Sequence, residues 1–186
     1  PKLHGNLLVL QKSLTMRRHF GFAVLALMAL SACGGPSIPQ LGPDGKPLPK
    51  IYNIRPGQSA TLQFRMLDSV NNLREAAGAP PLELNSQLNA AAATHAQDMS
   101  LQNRPWHFGS DGSSPIDRIR RVGYAGQLVG ENISETYETE LETLAAWMDD
   151  ENTRRVILSP DATDLGFSWF QEANVKIWWT LVTGSN

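Results

Sequence analysis

Cys33 is the only cysteine in 186 residues, so no disulfide can form within the chain and its fold must be held by packing. The same scarcity excludes a structural zinc site built from cysteine and histidine. Histidine is rare too, with only His4, His19, His95 and His107. The HExxH pattern of zinc peptidases, the GxSxG turn of serine hydrolases and any glycine-rich phosphate loop are all missing. So is an excess of positive charge, with 16 Lys and Arg against 18 Asp and Glu. Nucleic acid is therefore not an expected partner.

Apolar runs of membrane-spanning length are absent as well. Residues 1–15 show neither periodicity nor turn signals and read as an upstream segment outside any structural unit. From Met16 the chain reads MRRHFGFAVLALMALSAC, two arginines ahead of an apolar stretch and small residues ahead of Cys33. The fourteen residues from His19 to Ala32 fall short of the roughly 20 that a span needs. Leu30 to Cys33 resembles the lipobox of bacterial lipoproteins, which implies a signal peptide over 16–32, cleavage before Cys33 and a lipid on its sulfur. Arg17 and Arg18 suit either general or twin-arginine export. Removing the first 32 residues discards Lys2, Lys12, Arg17 and Arg18 and no acid, leaving a net charge of about −6.

Residues 33–57 are rich in proline and glycine and read as a spacer between the acylated cysteine and a folded unit over 58–186. In that unit Leu62, Met66, Val70, Leu73 and Ala77 mark one helical face, ended by Gly78 and Pro80. Asn85 is placed to cap a second helix with the stripe Leu88, Ala91, Ala92, His95 and Met99. A short third helix has Ser114 as cap, Pro115 at its first position, Asp117 in its first turn and Gly123 as its stop. A fourth, running to about Asp150, is expected to bury Leu141, Leu144, Ala145 and Met148, with Trp147 on its flank. LGFSWFQ and VKIWWTLV, joined by a polar turn, predict a β-hairpin, and Gln127 to Val129 a further short strand. Helices first and strands last give an α+β class.

Two stretches carry candidate chemistry. WHFGSDG, 106–112, sets His107 ahead of a glycine-rich turn able to present a side chain at a cleft wall. VGENIS, 129–134, places Glu131 among apolar neighbours, where a half-buried carboxylate needs donors or a cation. His95, on the apolar stripe of the second helix, reads as a hydrogen-bonded core histidine. The eight acids from Glu131 to Glu151 read mostly as a solvated helix face.

Taken in order, NNLREAAGAPPLELNSQLNAAAATHAQDM, WHFGSDGSSPIDRIRRVGY, VGENI, AAWM, RRVIL and LGFSWF resemble the CAP superfamily (cysteine-rich secretory, antigen 5 and pathogenesis-related proteins; SCP domain) in its bacterial form. The resemblance implies a three-layer α-β-α sandwich with a small antiparallel sheet. It also implies a cleft lined by His107, Glu131, Asp150 and Thr153. In bacterial relatives a second histidine stands where this chain has Thr153. A threonine cannot shuttle protons near neutrality, and one histidine with carboxylates holds zinc less well than two. No cofactor is therefore expected, zinc being disfavoured with His107 and Glu131 as its weak candidate ligands.

These features predict a lipoprotein of the bacterial cell envelope, held to the membrane through Cys33, that binds a lipid, an envelope polymer or a protein. Gly34 after the cysteine favours the outer membrane, facing the periplasm, over the inner one. The alternative is a peptidase-like hydrolase, with or without metal assistance, using His107 and Glu131. Ser110, Ser113 and Ser114 lie near enough in sequence to be candidate nucleophiles, Ser114 being better explained as a cap.

Overall fold

The computed structural model describes residues 52–136 and 138–186. The expected upstream segment, the expected signal peptide, Cys33 and most of the expected spacer lie outside the described residues. No helix among the described residues is long and apolar enough to cross a membrane.

The elements run α1 (Ser59–Ala76), β1 (Glu83–Leu84), α2 (Ser86–Gln102), α3 (Pro115–Arg121), β2 (Gln127–Thr136), α4 (Glu140–Asp149), α5 (Glu151–Leu158), β3 (Asp164–Gln171) and β4 (Ile177–Ser185). The sheet order is β1-β3-β4-β2, with β1 parallel to β3 and the other pairs antiparallel. The expected hairpin is β3–β4, and the short strand foreseen at Gln127 extends to Thr136 along the edge of the sheet.

Alternation along β4 divides the core, and nearly every residue of the strand is buried because both its faces are covered. Trp179 and Leu181 face the layer of α1, α4 and α5, packing with Leu62, Met66, Leu144, Trp147 and Ile157. Trp178 and Val182 face the opposite layer, packing with Ala96 and Met99 and with Leu88, Ala91 and Ile119. The result is an α-β-α sandwich. The alanines of α2 let it lie close on the sheet. At Gly166 of β3 an added Cβ would come within 2.2 Å of the Leu88 backbone, so only glycine fits there.

The caps behave as the sequence predicts. Asn85 accepts from the backbone N–H groups of Gln87 and Leu88, and Ser114 forms a reciprocal capping box with Asp117. Three expectations need correction. In α4 the buried stripe is Glu140, Thr143, Leu144 and Trp147, whereas Leu141 and Ala145 are exposed. The face is rotated because Trp147 turns inward and its Nε1 donates to the Ile133 carbonyl at 3.2 Å. Glu140, grouped with the solvated acids, is buried against Arg65 and the Tyr52 hydroxyl, each 2.6 Å away. Finally, Tyr52 and Ile54 pack against the core and hydrogen-bond Gln171, so the folded unit begins before Gln58. β1 and α5 are elements that the sequence reading did not separate.

Candidate functional site

Glu131 and Asn132 are neighbours in β2, so their side chains leave opposite faces of the sheet. Glu131 turns towards α2 and α3. Asn132 turns towards α5, where its Nδ2 donates to the Thr153 carbonyl at 2.9 Å. Gly130, just before them, has room for no side chain, because a Cβ there would meet Val156 of α5 at 2.7 Å. The Gly-Glu-Asn run is thus a packing contact on one face and a polar site on the other.

The Glu131 side chain is only 3% exposed, yet three side chains gather round it. Arg118 of α3, itself buried, donates through Nη2 to both carboxylate oxygens at 2.9 and 2.7 Å. Its Nη1 donates to the carbonyls of His107 and Ser113, both at 3.1 Å, which ties the WHFGSDG segment to the same charge. His107 Nδ1 lies 2.9 Å from Glu131 Oε1, while its side chain is 51% exposed. An ionised carboxylate can only accept, so Nδ1 carries the shared proton and Nε2 is the nitrogen left for a ligand. His95, fully buried on α2, sets Nε2 2.9 Å from the Trp106 carbonyl and 3.7 Å from Glu131 Oε1.

The electrostatics follow from this packing. Burial pushes the Glu131 carboxyl upward, but the His107 hydrogen bond and the positive charge of Arg118 outweigh it and hold the group below its ordinary value. Burial lowers the His95 imidazole against the opposing pull of Glu131, which favours a neutral ring. Its Nε2–H then donates to Trp106. Its Nδ1 has no partner among the described residues, and the same is true of the Arg118 Nε.

The structure therefore brings His107 and Glu131 together, as expected, and leaves the other two cleft candidates apart. Asp150 caps α5, accepting from the backbone N–H groups of Asn152 and Thr153. The Thr153 hydroxyl donates to the Trp147 carbonyl at 2.6 Å. Among the described residues, no hydrogen bond or ion pair joins either of them to His107 or Glu131. The candidate nucleophiles are engaged elsewhere too: Ser110 Oγ donates to Asp98 and Ser114 Oγ to Asp117, at 2.6 and 2.7 Å, and the Ser113 side chain hydrogen-bonds Asp111.

His95 and Arg118 are the members that the sequence reading missed. His95 is the packed histidine expected, but the packing delivers it to Glu131. For Arg118 a signal existed. It sits on the packed face of α3 beside Ile119, and a half-buried Glu131 needs donors or a cation. Next to the cluster, α2, the turn at Ser110 and α3 enclose an open groove of about 400 Å³, lined by Ala91, Gln97, Leu101, Ser110, Arg118 and Arg121.

The resident donors do not fit a zinc ion as they stand. Both Glu131 oxygens accept from Arg118, and His107 Nδ1 and His95 Nε2 are committed to Glu131 and the Trp106 carbonyl. Among the described residues no group of three or more histidines, cysteines or acids is set to hold a metal.

The α-β-α sandwich, whose edge strand and neighbouring helices converge on a histidine–carboxylate pair here, has the SCP fold. The chain belongs to the cysteine-rich secretory protein family (CAP), matching it over residues 67–182. It is 28% identical over 125 residues to the uncharacterized protein YkwD of Bacillus subtilis, covering 67% of this chain and 48% of that one. The chain thus spans about half the length of that relative. Its fold matches an extracellular SCP-domain protein of Bacillus anthracis with a TM-score of 0.64 at 22% identity, covering 73% of this chain and 45% of the other. An outer surface protein of Borrelia burgdorferi matches with a TM-score of 0.64 at 15% identity, covering 74% of this chain and 99% of the other.

Proposed function

We propose that this is an extracytoplasmic CAP module of the bacterial envelope, anchored through acylated Cys33, that binds a ligand or partner and does not turn it over. The observation that carries the reading is the His107–Glu131–Arg118 arrangement. A half-exposed imidazole is oriented by a carboxylate that is itself buried and neutralised, which makes a fixed recognition group. An acyl-transfer enzyme would need a nucleophile within reach of that imidazole, and the Ser110, Ser113 and Ser114 side chains bond Asp98, Asp111 and Asp117 instead. The export signal ending at Cys33 supports an envelope location, as do the extracellular and outer-surface descriptions of the fold neighbours. Gly34 favours the outer membrane, facing the periplasm. A lipid, an envelope polymer or a protein would suit the reading.

The test is native mass spectrometry of the full chain extracted from envelopes in mild detergent, with His107→Ala alongside. The expected result is an adduct retained by the wild type and lost in the variant. Peptide turnover by the wild type that disappears in His107→Ala would overturn the reading in favour of a hydrolase. Cys33→Ala should move the protein from the membrane to the soluble fraction.

A further inference from the structure

His107 and His95 both approach the same oxygen of Glu131, Oε1. Zinc takes nitrogen and oxygen ligands at about 2.0–2.1 Å, so neighbouring ligand atoms in a tetrahedral site lie roughly 3.3 Å apart. The separations from Glu131 Oε1, 2.9 Å to His107 Nδ1 and 3.7 Å to His95 Nε2, fall either side of that value. What opposes a metal is the guanidinium. We propose that Arg118 is the resident cation of this cleft: it takes both Glu131 oxygens that a divalent ion would need and, through Glu131, fixes His107 so that Nε2 meets a ligand as a hydrogen-bond acceptor.

The steps follow from donor counting. Arg118 has donors and no acceptor, and it is buried where its charge needs an anion. Glu131 supplies the anion and remains ionised, so its Oε1 draws the Nδ1–H of His107. In the neutral form of the ring its one proton sits on Nδ1, facing Glu131, which leaves Nε2 bare on the side away from the carboxylate. A ligand that suits this nitrogen brings a donor, such as a hydroxyl, an amide N–H or an ammonium group. That ligand class rests on the binding reading above, whereas the role of Arg118 does not.

The experiment is a zinc titration of the full chain, followed by native mass spectrometry and by two-bond proton–nitrogen spectra of the histidine rings. The wild type should show the Nδ1–H form of His107, unchanged by equimolar zinc, and no zinc adduct. Arg118→Met should gain a single zinc ion and lose it again when Glu131→Gln is added. A wild-type zinc adduct that Glu131→Gln abolishes would overturn the proposal, as would an Nε2–H form of His107 or a folded Arg118→Met that ignores zinc. The wild-type measurements decide the matter even where Arg118→Met does not fold. None of these readouts involves the unidentified ligand, so this inference and the binding reading fail separately.

Discussion

Among the described residues two arginines are buried, and their charges are accommodated in different ways. Arg74, fully buried in α1, donates Nε to the Pro80 carbonyl, Nη1 to those of Ile157 and Ser159, and Nη2 to that of Ala162. It has no acidic partner among the described residues, and its burial lowers its pKa. Arg118 has a carboxylate, two carbonyls and one idle donor. Arg74 fastens the end of α1 to the end of α5 and the loop after it, using backbone that no substitution can alter. Arg118 organises side chains, which substitution can remove or replace. One cation is a fixture of the fold and the other the centre of a site.

That contrast is broken most severely at Arg74. Arg74→Ala takes the donors from four carbonyls, of which only that of Ser159 keeps another, the Ala162 N–H. The other three cost roughly 1–3 kcal/mol each if left buried and unpaired, so the domain should lose about 4 kcal/mol or more. Arg74→Lys should recover little, because an ammonium cannot reproduce the planar fork. Urea denaturation of the two variants measures both effects.

At Arg118 the equivalent damage can be repaired. Glu131→Leu strands a buried guanidinium and should cost about 3–5 kcal/mol. Adding Arg118→Met removes the stranded charge, and the double variant should regain most of that loss, since buried ion pairs are often replaceable by apolar groups. The cycle measures the coupling directly. A double variant as unstable as Glu131→Leu alone would make Arg118 a fixture like Arg74.

A smaller effect comes from acid. His95 has a folded pKa below its unfolded value of about 6.5, because burial disfavours its charged form. The unfolded chain therefore takes up the proton first, so stability contributed above about pH 6.5 is lost as the pH falls below it. Glu131, also lowered, acts in the same direction but further down, below its ordinary value of about 4.3. Melting temperature should drop between pH 7 and 5, and His95→Gln should flatten that drop. A step unchanged in His95→Gln would place the titrating group elsewhere.

The sequence revealed the elements better than it revealed the site. Caps and stops were legible because they are local: Asn85, Ser114 with Pro115, and Gly123 each act within a few residues of their own position. The α4 face was misjudged because Leu141 and Trp147 compete for the buried stripe, and a contact with the Ile133 carbonyl, far off in the fold, settles it for Trp147. His107 and Glu131 were visible as a polar residue in a turn and an acid in a strand. Arg118 and His95 were not assigned to it, because each lies in a helix whose pattern reads as ordinary; burial of Glu131 hinted at a cation without saying which, and only the stacking of α2 and α3 on β2 joins the two to Glu131. The one-residue alternation of β2 then separates Thr153 from the cluster, a division that a linear motif does not display.

The mildest test examines that division. Asp150 is a helix cap for α5, so Asp150→Ala should cost about 1 kcal/mol, the usual loss for a vacated N-cap. Asp150→Asn keeps a capping oxygen and should cost less. If α5 is structural, the ring signals of His107 will be the same in both variants as in the wild type, because its geometry is set by Glu131 and Arg118 from the opposite layer. If they move in Asp150→Ala, the two layers are coupled through the Asn132 hydrogen bond to Thr153, and α5 belongs to the recognition site after all.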